Sequence, residues 1–215
     1  AIFGERIDGL KYYWLEEFEL NGIPLIISRT GWSSELGYEI YLRDGSRGNE
    51  LWDHIMEIGE PMGLVPGHTS TIRRIEGGML SYQADMDYTV NPFELGLGRL
   101  VDLEMDADFI GKEALKKIKS DGIKRHQVGI EISCTPLKHP NTSYWPIMVG
   151  SEEVGYITSA VYSPRLDKSI ALAMMDVNHS AIDTAAETTT PEGNFPIKVV
   201  QKPFYDPKKK ITSGS

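Results

Sequence analysis

The chain has 215 residues, 40% of them hydrophobic and 25% charged, with a formal charge of -9. That describes a globular protein with room for one large or two modest domains, without the basic face of a nucleic-acid binder or an apolar run long enough to span a bilayer. Its single cysteine, Cys134, excludes an intrachain disulfide and points to a reducing, cytoplasmic compartment.

Residues 12–20 alternate polar and apolar side chains and end at Asn21-Gly22, a strong two-residue hairpin signal. Residues 24–29 read as the return strand and 38–42 as a third strand. From 49 to 62, Leu51, Trp52, Ile55, Met56 and Ile58 fall at helical spacing, with Ser46 as the expected cap. Thr69 or Ser70 can cap a second helix carrying Ile72, Ile75, Met79 and Leu80. Gly77-Gly78 weakens that helix, and a close approach by another element would explain the glycines. Asn91-Pro92-Phe93-Glu94 opens a structured loop, followed by an expected short strand at 100–103. A helix is expected over 109–118, capped by Asp106 or Asp108, with lysines in its last turn.

Ser120-Asp121-Gly122 ends that helix and marks the domain boundary: 1–122 reads as α+β, and 123–215 as β. Five strands are expected beyond it, at 127–134, 145–149, 153–161, 169–177 and 195–202, separated by Pro-, Gly-, Asn- and Ser-rich turns. Such a series builds a small antiparallel barrel or sandwich. Cys134 continues the alternation of Val128, Ile130 and Ile132, which reads as a buried apolar residue rather than a nucleophile. The small, polar residues 212–215 read as a frayed end.

The richest chemistry lies between residues 28 and 42. Two carboxylates, Glu35 and Glu39, sit with Trp32 and Tyr38 around two glycines between strand edges. A carboxylate there can accept two parallel hydrogen bonds from an amidine-like edge, such as a pterin or guanine presents. The competing reading is a hairpin with exposed glutamates. Trp32 offers an indole face to a cation, though a tryptophan after a glycine can equally be packed. Arg73 and Glu76 are spaced as an i,i+3 surface pair. The histidines, at 54, 68, 126, 139 and 179, are too scattered for a metal site. Gly96-Leu97-Gly98 lacks the further glycine and lysine of a phosphate loop, and no Gly-x-Ser-x-Gly elbow marks a hydrolase.

Residues Arg29 to Glu39, Arg-Thr-Gly-Trp-Ser-Ser-Glu-Leu-Gly-Tyr-Glu, resemble the Arg-Thr-Gly-Tyr-Thr-Gly-Glu-x-Gly-x-Glu signature of the glycine-cleavage T-protein family, the folate-dependent aminomethyltransferases. Arg74-Ile-Glu-Gly-Gly-Met79 is similar to that family's Arg-Leu-Glu-Ala-Gly-Met helix, and Asp108-Phe-Ile-Gly-Lys-Glu-Ala-Leu115 to its Asp-Phe-Ile-Gly-Lys-x-Ala-Leu segment. Gly155-Tyr-Ile-Thr-Ser159, Ser163-Pro164, Ala171-Leu-Ala-Met174 and Val200-Gln-Lys-Pro-Phe204 resemble its C-terminal barrel. Ser70 replaces an arginine of the family pattern and Trp32 replaces a tyrosine. Arg73 to Tyr82 and Asn91 to Glu94 look closer to the branch of folate-dependent dimethylsulfoniopropionate demethylases.

The resemblance implies an incomplete ferredoxin-like, folate-binding region followed by a small antiparallel barrel. It implies tetrahydrofolate as cofactor, a small methyl or aminomethyl donor as partner, no metal, and no nucleic acid or membrane partner, and it admits a homo-oligomer. Glu39 would hold the pterin, Tyr38 and Trp32 would wall its pocket, and Arg29 and Arg74 would contribute. Residue 1 corresponds to a point inside the family's chain. The catalytic aspartate is therefore expected upstream, and no catalytic residue is assigned in these 215 residues. The alternative is a non-catalytic folate-binding or assembly module on the same fold.

Overall fold

The computed structural model describes residues 2–134 and 136–214. Asn21 and Gly22 both take positive φ, 50° and 76°, the left-handed pair that a tight hairpin requires. They join β1 (Leu15–Leu20) to β2 (Ile23–Ser28), with Leu20 opposite Ile23. β3 (Glu39–Leu42) pairs antiparallel with β2, giving a three-stranded sheet in chain order. Strand alternation sends Phe18, Leu20, Ile23, Leu25 and Ile27 to one face, where they form a core with Leu10 and Leu51. Leu51 comes from α1 (Gly48–Gly59). Ser46 does not cap this helix: it lies in a preceding 3-10 turn, where Asp44 accepts from its N–H at 3.1 Å and its hydroxyl at 2.7 Å. Trp52, expected on the apolar stripe, is exposed.

α2 (Thr71–Glu76) is shorter than its apolar spacing suggests. Ser70 accepts from the Arg73 N–H at 3.3 Å, as a cap does. At the other end Gly78 turns to φ 64° and Met79 N–H closes back on the Arg74 carbonyl at 2.8 Å, a left-handed helix stop. The expected close approach is present: a Cβ on Gly78 would lie 3.5 Å from the Pro203 Cα. The strand expected at 100–103 is absent, and a 3-10 turn occupies Gly98–Leu100. α3 (Lys112–Asp121) starts three residues later than expected. Gly111 precedes it at φ 94° with no side-chain cap, and Asp108 accepts only from the N–H of Phe109.

β4 (Arg125–Ile132), β5 (Trp145–Val149), β6 (Glu152–Ser163), β7 (Lys168–Asp176), β8 (Ala185–Thr190) and β9 (Gly193–Val200) close into an antiparallel barrel of order β4-β7-β6-β5-β8-β9. β8 is the sixth strand, beyond the five expected. Its inward positions are Ala186, Thr188 and Thr190, too weakly apolar to read as a strand. The barrel core holds Ile130, Ile147, Ile157, Ala171, Ala173, Met175 and Ile197, and burying each large aliphatic side chain contributes about 2 kcal/mol. Cys134 is half-buried against this core.

Two compact units result. One runs to Arg73 and takes in the tail from Lys208; the other is Arg74–Pro207. Residues 212–214, expected as a frayed end, carry the end of α4 (Lys210–Ser213), and Thr212 is buried. Ser215 lies outside the described residues. No helix among the described residues is long and apolar enough to cross a membrane.

Candidate functional site

The register of β2 and β3 sets Ser28 opposite Glu39 and Ile26 opposite Tyr41. Because side chains alternate across a strand, these residues share the sheet face turned away from the Leu25 and Ile27 core. The Glu39 carboxylate is exposed there. Its Oε2 accepts from the Thr30 hydroxyl and, at 3.2 Å, from the Tyr41 hydroxyl. Ser28 and Thr30 hydroxyls are themselves hydrogen-bonded, so Ser28, Thr30, Glu39 and Tyr41 form a continuous chain. The charge of Glu39 raises the Tyr41 pKa above its ordinary value. Oε2 is thus oriented by two donors, while Oε1 retains its acceptor capacity.

The other residues singled out in the sequence take different places. Tyr38 precedes Glu39 and therefore turns to the opposite face. There it packs on the hydrophobic core and donates to the Ile7 carbonyl at 3.3 Å. Arg29 donates to the carbonyls of Leu10 at 3.0 Å and Ser213 at 3.1 Å, and pins the segment before β1 and the tail. Its Nε is buried with no partner among the described residues. Trp32 is 39% exposed in the turn, and Glu35 pairs with Arg73 at 3.4 Å.

Arg74 belongs to the other unit and is buried. It binds Asp85 at 2.8 Å, the Ser159 hydroxyl at 2.8 Å and the Met79 carbonyl at 3.2 Å. Asp85 also accepts from the Ser81 N–H and the Thr158 and Ser159 hydroxyls. Nearby, Glu76 accepts from Ser163 at 2.6 Å and faces Arg165 at 3.6 Å. These groups tie Arg74, Glu76 and Asp85 to β6. A buried carboxylate with this many donors holds its charge by hydrogen bonding and ion pairing together.

Sequence reasoning singled out Glu39 and passed over its hydrogen-bond partners Thr30 and Tyr41. Thr30 lies within the signature, and the i,i+2 spacing of Glu39 and Tyr41 on a strand is the signal that puts them on one face. Asp85 had no such signal, because its partners lie up to 74 residues away.

An α+β unit with a three-stranded sheet is followed along the chain by a closed six-strand antiparallel barrel. Residues 4–105 match the family model described as the GCVT N-terminal domain, and residues 125–206 match that of the glycine cleavage T-protein C-terminal barrel domain. The chain belongs to the glycine cleavage T-protein family. It is 36% identical over 212 residues to an aminomethyltransferase of Bacillus cytotoxicus, covering 97% of this chain and 57% of that protein. Against an aminomethyltransferase of Bacillus mycoides it is 35% identical over the same coverage. The chain therefore spans little more than half the length of these relatives. The fold is that of the glycine cleavage system aminomethyltransferase T of Bartonella henselae, with a TM-score of 0.78 at 22% identity, over 93% of this chain and 54% of that one.

Proposed function

We propose that this chain supplies the tetrahydrofolate-holding face of a one-carbon transferase, which moves a methyl or aminomethyl carbon from a small charged donor to the folate. The observation that carries the reading is the Glu39 carboxylate, held by Thr30 and Tyr41 on an exposed sheet face with Oε1 open. The open Oε1 can accept from the N–H edge of a pterin, a charge-assisted hydrogen bond. Bound there, a reduced folate supplies the nitrogen that takes up the carbon. The protein's own contribution is positioning: Thr30 and Tyr41 orient the carboxylate, and the Trp32 indole offers a face to a cationic donor. Tyr38 and Arg29 act one step back, by fixing the strand and turn that present Glu39. Arg74 acts through Asp85 on the start of the barrel unit.

The functional division at residue 122 sets a cofactor-holding domain over residues 1–122 and a barrel domain over residues 123–215. It is supported by the place of that residue between the two matched family models. A cytoplasmic location is supported by the lone, half-buried Cys134.

Titration calorimetry of the protein as its gene encodes it, with 5-methyltetrahydrofolate, tests the reading. Glu39→Ala should weaken binding by about 1.5–3 kcal/mol, the range for hydrogen bonds to a charged group. Unchanged affinity removes Glu39 from the site. A second reading, a folate-binding or assembly module without turnover, is favoured by Ser70. It stands where the family pattern has an arginine, and here its hydroxyl is engaged as the α2 cap. Methylated folate formed with candidate donors decides for the first reading, and binding without turnover for the second.

A further inference from the structure

The barrel is closed unevenly. β8 and β9 share register from Ala185–Lys198 to Thr190–Gly193, whereas β5 and β8 meet only at Ile147–Thr188 and Met148–Glu187. Continuing that register outward would set Trp145 against Thr190, but the pairing stops first. The cleft that opens there has a volume of about 230 Å³. Its floor is buried and largely apolar, with Leu137, Trp145 and Thr190 each 6–7% exposed, and Pro191 adds a further wall.

The surround is preformed. Asn141 on the cleft wall accepts from the Ala160 N–H at 2.6 Å and donates to the Thr158 carbonyl at 3.1 Å, tying its loop to β6. The Thr190 hydroxyl donates to the Gly193 carbonyl at 3.1 Å and accepts from the Glu192 N–H at 3.0 Å, setting the turn that carries Glu192. His139 and Glu192 line the opening, and neither side chain has a hydrogen-bond or ion-pair partner among the described residues. Concave, mostly apolar clefts with a few convergent polar groups are the usual form of a small-molecule site.

We propose that this cleft at the β5–β8 seam binds a small arylalkyl amine, its ring over Trp145 and Leu137 and its ammonium group on the Glu192 carboxylate. The aromatic and aliphatic floor selects a ring by burial and stacking. Glu192 favours a cation over an anion through a charge-assisted hydrogen bond. The site uses barrel residues alone and is independent of the folate reading.

The test is an NMR titration of the 215-residue chain with benzylamine and, separately, benzoate. Benzylamine should give saturable shifts at the Trp145 indole N–H and the amides of Thr190 and Glu192, and benzoate should bind at least about fivefold more weakly. Glu192→Gln, an exposed change that leaves the rest of the spectrum in place, should weaken benzylamine by about fivefold. Glu39→Gln should leave the titration unchanged, so failure here and failure of the folate site are separate results. Shifts that never saturate, equal binding of benzoate, or an unaltered Glu192→Gln titration each overturn the proposal.

Discussion

Lys202 follows β9, its stem against Gly78. Burial of its amine lowers the pKa from 10.5 to about 8, against the opposing pull of the Asp85 carboxylate. The gap between those values corresponds to about 3 kcal/mol, at about 1.4 kcal/mol per tenfold. That is the penalty for keeping an ammonium there in the folded state at neutral pH. Lys202→Met replaces the amine with an unbranched thioether of similar reach and should stabilise the chain at pH 7 by about 2–3 kcal/mol.

The pH dependence gives the stricter check. Between about pH 8 and 10.5 the folded amine has lost its proton while the unfolded chain still holds one. The unfolded state then binds more protons, so the wild-type chain gains stability relative to the variant as pH rises through this window. Below pH 8 the whole penalty is present; above 10.5 it is gone. Urea unfolding followed by circular dichroism at pH 7, 9 and 10.5, with the two chains subtracted, isolates this residue from the other titrating groups. A difference that stays constant across those pH values, or a Met variant less stable at pH 7, refutes the argument.

Arg74→Met should cost about 3–5 kcal/mol in urea unfolding, because it leaves the buried Asp85 without its cation. An effect below about 1 kcal/mol would mean that the Ser81, Thr158 and Ser159 donors suffice. Gly155→Ala should lower the thermal midpoint sharply or prevent folding, since a Cβ there would overlap the Met174 carbonyl oxygen and crowd the Met175 Cα at 2.8 Å. A near-normal midpoint by calorimetry would show that the β6–β7 ladder yields at little cost.

Much of the architecture was legible locally. The Asn21-Gly22 turn, the alternation in β1 and β4, and the glycine stop at 122 each carry their geometry in a few adjacent residues. β8 was illegible because Ala186, Thr188 and Thr190 become core positions only once β5 and β9 lie on either side. The helix expected through Met79 and Leu80 was cut short by Gly78, whose close neighbour Pro203 is 125 residues further on.

The candidate site divides the same way. Glu39 was singled out from its signature, and its place at a strand start was legible because two-residue alternation and turn chemistry act over single residues. Its partners, the turning of Tyr38 toward the core and the use of Arg29 as a brace on Ser213 were settled by strand register and by the returning tail. The Arg74–Asp85–Ser159 knot, the lowered pKa of Lys202 and the seam at Trp145 depend on barrel closure. Hydrogen bonding, desolvation and cleft shape are properties of neighbours in space. For these residues the neighbours are brought together only when the distant strands meet.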